Sequence, residues 1–412
     1  MSKVRTRRHL LAGFSLFCAL YGLLSAGFAQ QRVYAYEELN LQFPDAQLTM
    51  PTGRNSKGEV VGIYADQAGQ QFGFLYSGGS FYTIHTGFGA VPRSINDNSE
   101  VAGYLVDDSG RSRGFIFRNS AFEMVDAPGN TQTSVFGISD AGHVTGFYVT
   151  DESPVAIIGF VMQNGRFTIV DVPGSAFTNP VAVNANGEVV GVHQNADGTY
   201  SGFHWRDGVS TTFAAPGPGV DLTTQANGIN NGGVIAGVRL NMAQESSGFV
   251  YASGQFSPVH VPGTPGESAV SINGPGELLG ESYVPDGRHH AFIAYPATPV
   301  TIDVMPGDLS NTIHLTSNEK VRVAILSSPT FDATTIDPLS VSFAGASARV
   351  VGRKAKPKVW TKDLARDGRM DLLLEFDVVE LQLSSSETFG FLQARTFNGA
   401  YVVGTDAVYV IP

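Results

Sequence analysis

The chain alternates short apolar runs with polar turns, and the same alternation returns along most of its length. One cycle reads "SINDNSEVAGYLVDDSGRSRGF" over residues 94–115; variants follow as "GISDAGHVTGFYVT", "AVNANGEVVGVHQ", "GINNGGVIAGV" and "SINGPGELLGESY". Six glycines mark one point of the pattern, Gly62, Gly103, Gly146, Gly191, Gly237 and Gly280, spaced by 41, 43, 45, 46 and 43 residues. A second marker trails each of them: Gly73-Phe74, Gly114-Phe115, Gly159-Phe160, Gly202-Phe203, Gly248-Phe249 and Ala291-Phe292. Self-similarity at such a period predicts a repeat architecture.

Each unit holds four short extended runs. In the second unit they cover Val91–Asn96, Val101–Asp107, Arg113–Arg118 and Phe122–Asp126, separated by Asp97-Asn98-Ser99, Asp107-Asp108-Ser109-Gly110 and Asn119-Ser120. Asn, Asp and Gly tolerate the backbone angles of hairpin turns. Four strands per unit at this period is the pattern of propeller blades. No unit carries a helix-length run of period-3.6 apolar residues, which excludes a helical solenoid. The expected fold is all-β: a six-bladed β-propeller of 41–46-residue repeats over residues 30–299, then a β-sandwich over 300–412.

Loop lengths set the strand order. The longest connections, such as "APGNTQTS" and "APGPGVDLTTQA", follow the fourth run, so the "SIND" runs are expected innermost, where blades converge. A small residue sits there each time: Gly53, Ser94, Gly137, Ala182, Gly228 and Ser271. Arg54 departs from the pattern, standing where Ile95, Ile138, Val183, Ile229 and Ile272 stand in the other units. Only five fourth runs lie inside the array. The stretch Tyr34–Leu41 is expected to supply the missing outer strand, with "TIDVMPG" at 301–307 as its rival.

The I-N-x-x-G-x-V-x-G core, the G-F pair and the P-G loop, as in "GINNGGVIAGV…SGFVYASGQFSPVHVPG", resemble the bacterial extracellular HAF repeats over about residues 34–295. The tripeptide of that name survives once, as His290-Ala291-Phe292. The resemblance implies secretion and fold and is silent on activity. From residue 300 the period stops. "VTIDVMPGDLSNTIHLTSNEKVRVAIL", "FDATTIDP" and the closing "GTDAVYVIP" resemble a small β-rich domain appended to secreted bacterial proteins. Since that domain begins at its I-D-x-x-P-G strand, residues 301–307 are assigned to it. The likeness also implies a D-x-D-x-D-G calcium loop. Here the loop reads "KDLARDGRMD": Asp363, Asp367 and Asp371 are the calcium candidates, but Ala365 fills the second ligand position and Lys362, Arg366 and Arg369 crowd it with positive charge. The expectation is therefore no cofactor, with calcium at these three aspartates as the alternative.

The N-terminus adds an export signal: basic "MSKVRTRRHL", an apolar stretch, and the small-x-small site Gly27-Phe28-Ala29. The expected route is either general secretion or, from the Arg7-Arg8 pair, twin-arginine export. Cys18 lies in that segment, behind Phe17 where a lipoprotein signal needs a small residue, so residues 30–412 contain no cysteine and no disulfide. Removing Lys3, Arg5, Arg7 and Arg8 leaves 22 basic against 37 acidic residues, a formal net charge of −15 that disfavours a nucleic-acid partner. No later apolar run is long enough for a membrane span, and oligomeric state is not legible.

Catalytic signatures are missing: no H-E-x-x-H, G-x-x-x-x-G-K or G-x-G-x-x-G occurs, and there is no G-x-S-x-G elbow, since the one match in spacing, Gly110–Gly114, falls at a turn between two extended runs rather than between a strand and a helix. His85, His193, His260, His289 and His290 fall near strand ends on the face of the second-to-third turns and inter-blade loops, out of register with one another. Asp66, Asp107, Asp108, Asp151, Glu152, Asp197 and Asp286 read as turn formers. Two functions stay open. One is an exported, non-catalytic scaffold binding a glycan, cell-wall polymer or protein through the loop face. The other is an extracellular polysaccharide hydrolase or lyase with its site at the channel mouth.

Overall fold

The computed structural model describes residues 31–412, apart from 86–88, 131, 152–154, 220, 244, 265, 284–288, 309 and 354. The expected export signal, Glu152 and Asp286 lie outside the described residues. The fold is all-β, with three single-turn 3-10 segments and no α-helix among the described residues.

The repeat folds as a succession of four-stranded antiparallel meanders. In the second they are Gly89–Ile95, Val101–Val106, Ser112–Arg118 and Ala121–Val125, within two residues of the runs read from the sequence. The first strands of the units, Leu48–Arg54, Gly89–Ile95, Gln132–Ile138, Thr178–Val183, Asp221–Ile229 and Gly266–Ile272, pack one on the next. The last of them packs back on the first, so the sheets form a ring, the arrangement of a β-propeller.

The two sequence markers turn out to be cross-strand partners. Gly62 pairs with Phe74, Gly103 with Phe115, Gly146 with Phe160, Gly191 with Phe203, Gly237 with Phe249 and Gly280 with Phe292. Each phenylalanine is buried. A Cβ at Gly146 would stand 2.0 Å from the Ser134 carbonyl oxygen, and one at Gly103 2.2 Å from that of Val91. The marker glycine lets the first strand come close, and in most units the ring opposite covers the vacant side. The glycine of the G-F pair serves the next sheet: Pro92 occupies the space beside Gly73, and Pro180 that beside Gly159.

Ring closure falls to the N-terminal strand. Val33–Glu38 pairs antiparallel with His289–Pro299 and becomes the fourth strand of the last sheet. It is shorter than the Tyr34–Leu41 expected. The rival, Thr301–Val304, pairs instead with Lys320–Leu326. Arg54 also acquires a reason. Its guanidinium pairs with Glu277, across the seam between the first sheet and the last.

Beyond residue 300, two sheets share one core. Thr301–Val304, Lys320–Leu326, Asp371–Asp377 and Val359–Lys362 form one; Phe389–Arg395, Tyr401–Ala407 and two short strands form the other. Val323, Leu374 and Phe376 of the first meet Phe343, Leu392 and Val402 of the second. This part is not a free appendage. Tyr401–Ala407 adds in parallel to residues 297–299, so the second sheet is continuous with the last sheet of the ring. The Gln393 side chain, Arg395 and Tyr401 also hold the closing strand at Tyr36 and Glu37.

Candidate functional site

One concavity lies on the ring axis and another beside it. Toward the axis each first strand shifts register by one residue against its neighbour, between Pro51/Gly53, Pro92/Ser94, Val135/Gly137, Pro180/Ala182, Ala226/Gly228 and Ala269/Ser271. The extra residues of these bulges are Thr52, Arg93, Phe136, Val181, Asn227 and Val270, and all six line one axial cavity of ≈ 280 Å³. A bulge re-aims the side chain it carries. The small residues beside them permit the close approach: a Cβ at Gly137 would lie 3.0 Å from the Ala182 Cα, and one at Gly53 3.2 Å from the Ser94 Cα.

Below the bulges runs a relay of asparagines. Asn55 Nδ2 donates to the Asn96 carbonyl at 3.0 Å, Asn96 Nδ2 to that of Ser139 at 3.0 Å, and Asn184 Nδ2 to that of Asn230 at 3.1 Å. The Oδ1 of each accepts two amides of its own turn, as Asn96 does from Asn98 and Glu100. Each asparagine thus caps one turn and ties it to the next sheet. In the third unit Ser139 stands in this place, its hydroxyl bonded to His143.

The larger concavity, ≈ 870 Å³, opens at the loop face between the last sheet and the C-terminal part. Tyr36, Glu38, His260, Thr264, Ser282 and His290 border it from the ring; Ser342, Gln382, Ser384, Ser386, Phe389 and Gln393 border it from the other side. Phe389 is 62% exposed, an aromatic face open to solvent. His290 Nδ1 stands 3.0 Å from the Glu38 carboxylate. His260 stands 3.8 Å from the Glu267 carboxylate, which raises the imidazole pKa above its ordinary 6.5.

Of the five histidines read as loop-face candidates, only His260 and His290 border this cleft. His85 meets the edge of Phe72. His193 is buried with neither ring nitrogen partnered among the described residues, and burial lowers its pKa. The side chain of His289 lies outside the described residues. No group of three or more His, Cys, Asp or Glu among the described residues could hold a metal ion.

The calcium candidates are occupied with backbone. Asp371 is fully buried, and its oxygens accept the amides of Ser327, Leu364 and Ala365 at 2.7–3.0 Å. Asp363 accepts from Asp367 and Gly368, and Asp367 from the Arg369 amide and guanidinium. Asp66, Asp107 and Asp197 likewise accept the amides of their own turns.

Sequence reasoning missed the axial bulge residues, although a signal existed. At that register the residue type changes from unit to unit while its flanks keep their pattern. It also missed every cleft residue beyond residue 300, because no periodicity points to them.

No family model matches this chain. No curated protein matches it either. Among solved structures it is similar to a mutant of AofleA from Arthrobotrys oligospora, at 13% identity over 64% of this chain and 86% of that one, with a TM-score of 0.42. A putative TolB from Agrobacterium tumefaciens gives 13% identity over 66% and 100%, TM-score 0.42. The six-bladed β-propeller lectin of Aleuria aurantia gives 12% identity over 60% and 90%, TM-score 0.37. At these identities and scores the likeness says nothing of a ligand here. No helix among the described residues is long and apolar enough to cross a membrane.

Proposed function

We propose that the ring is a six-bladed β-propeller carrying a C-terminal β-sandwich, and that the protein is an exported, non-catalytic scaffold. It binds a glycan, cell-wall polymer or protein at its loop face, in the cleft between the last sheet and the C-terminal part. The observation that carries this reading is the make-up of that cleft. Hydroxyl and amide side chains (Thr264, Ser282, Gln382, Ser384, Ser386) border the cleft together with the exposed ring of Phe389. Such a mixture suits a polyhydroxylated ligand, since hydroxyls and amides exchange hydrogen bonds with it and an aromatic face packs on its C–H groups. The HAF-like repeat agrees with export. The Asp363–Asp371 loop is proposed to fold without calcium.

The second reading, an extracellular polysaccharide hydrolase or lyase, has one observation in its favour. A histidine 3.0 Å from a carboxylate, as His290 is from Glu38, is an arrangement that can serve as a general base. The test of binding is a screen of residues 30–412 against glycan arrays and cell-wall fractions, beside Phe389→Ala. Retention by one class, weakened in the variant, supports the scaffold. Failure to retain any class, or retention that Phe389→Ala leaves unchanged, overturns it.

A further inference from the structure

The axial cavity holds a charge that nothing described there answers. Of the ionisable side chains lining it, Arg54 is paired with Glu277. Asp97 and Asp140 accept the amides of Ser56 and Asp97. Arg93 has no ion pair and no side-chain hydrogen bond among the described residues; its guanidinium lies over the Phe136 ring, 5.2 Å from the centroid. Burial lowers its pKa, which marks a cation that has lost hydration without gaining a carboxylate.

We propose that the axial cavity is a binding site for a carboxylate, held at Arg93. A guanidinium stacked on an aromatic face keeps its edge N–H groups free, in the planar fork that matches a carboxylate bidentately. The bulge brings Arg93 to the cavity beside Phe136. Gln225 and Asn227, also at the cavity, are bonded to one another. The cavity, at ≈ 280 Å³, has room for a small organic acid or one acidic sugar residue and no more. A dianionic phosphate is the poorer fit: Asp97 and Asp140 stand at the same cavity, and Arg93 is the one lining cation without an ion pair among the described residues. The site is separate from the loop-face cleft and stands whether or not that cleft binds a glycan.

The test uses residues 30–412 and ligand-observed NMR titration with acetate, glucuronate, an oligomer of glucuronate, glucose and inorganic phosphate. The expected result is saturable binding of acetate and glucuronate, weakened by roughly tenfold or more in Arg93→Gln and by less in Arg93→Lys, which keeps the charge and loses the fork. Oligomer binding tighter than monomer assigns the source to a polymer; monomer binding alone assigns it to a free acid. Glucose should not bind at Arg93. Arg93→Gln removes a poorly solvated charge, so its thermal midpoint should match or exceed the wild type. Should it fail to fold, phenylglyoxal modification of the wild type gives the same answer, with mass spectrometry reading whether glucuronate protects Arg93. Absence of saturable carboxylate binding, binding unchanged in Arg93→Gln, phosphate binding as tight as glucuronate, or no protection of Arg93 overturns the proposal.

Discussion

The side-chain amide of Gln393 stands in for a strand. It accepts the Tyr36 amide at 2.8 Å and donates to the Tyr36 carbonyl at 2.9 Å, bonding the outer edge of the strand that closes the ring. An unpaired edge is an invitation to fraying or to pairing with another chain. A residue 357 positions away thus guards the N-terminal closure. Gln393→Ala should cost about 1 kcal/mol, the usual net worth of such bonds. Hydrogen exchange should show the loss locally, with faster exchange at residues 33–38 and unchanged protection in the second sheet. Uniform acceleration would mean the closing strand has no separate stability.

The asparagine relay should matter more. Asn96 is buried, caps its own turn and donates to the next sheet. Asn96→Ala leaves buried partners unsatisfied and should destabilise by about 1–3 kcal/mol. Asn96→Asp keeps the turn acceptor and loses the donor, so it should be nearly as harmful. Chemical denaturation of both variants reads the difference, and a fully stable Asn96→Asp would place the whole effect in the turn cap.

How far the sequence revealed this fold is clearest from three positions. The period, the strands and the innermost small residues were legible, because backbone crowding near the axis allows little else at Gly53 or Gly137. The pairing of Gly103 with Phe115 was legible as two markers but not as one contact, since register comes from the folded sheet. Gln393 was illegible: its partner is a backbone far away, with no pattern around it. The cleft shares that difficulty, for Phe389 and His260 border one concavity only because the C-terminal sheet adds to residues 297–299.

Calcium should make no difference to folding. The carboxylates of Asp363, Asp367 and Asp371 already accept backbone amides, so a cation would have to displace those donors. The thermal midpoint of residues 30–412 should be the same in chelator and in excess calcium. A rise on adding calcium, abolished by Asp367→Asn, would restore the cation site that the resemblance implies.

Acidification tests the buried imidazole. Burial lowers the His193 pKa below 6.5, so the folded chain favours the neutral ring while the unfolded chain takes up the proton. That contribution is complete above the unfolded value and is lost as pH falls toward the folded one. His204 shifts the same way, chiefly through burial, while His260 shifts upward and loses its contribution as pH rises. Between about pH 7 and about pH 5 the thermal midpoint should fall, and His193→Leu should make the fall shallower. An identical slope in the variant would show that His193 does not titrate in this range.

The central claim is that the loop-face cleft binds without reacting, and turnover of chromogenic glycosides and polysaccharides is its most direct test. Wild type and His290→Ala should be assayed side by side, with and without added divalent metals. The account predicts no turnover above background from either protein. Reproducible turnover by the wild type, abolished in His290→Ala, would contradict it and make the His290–Glu38 pair part of an active site.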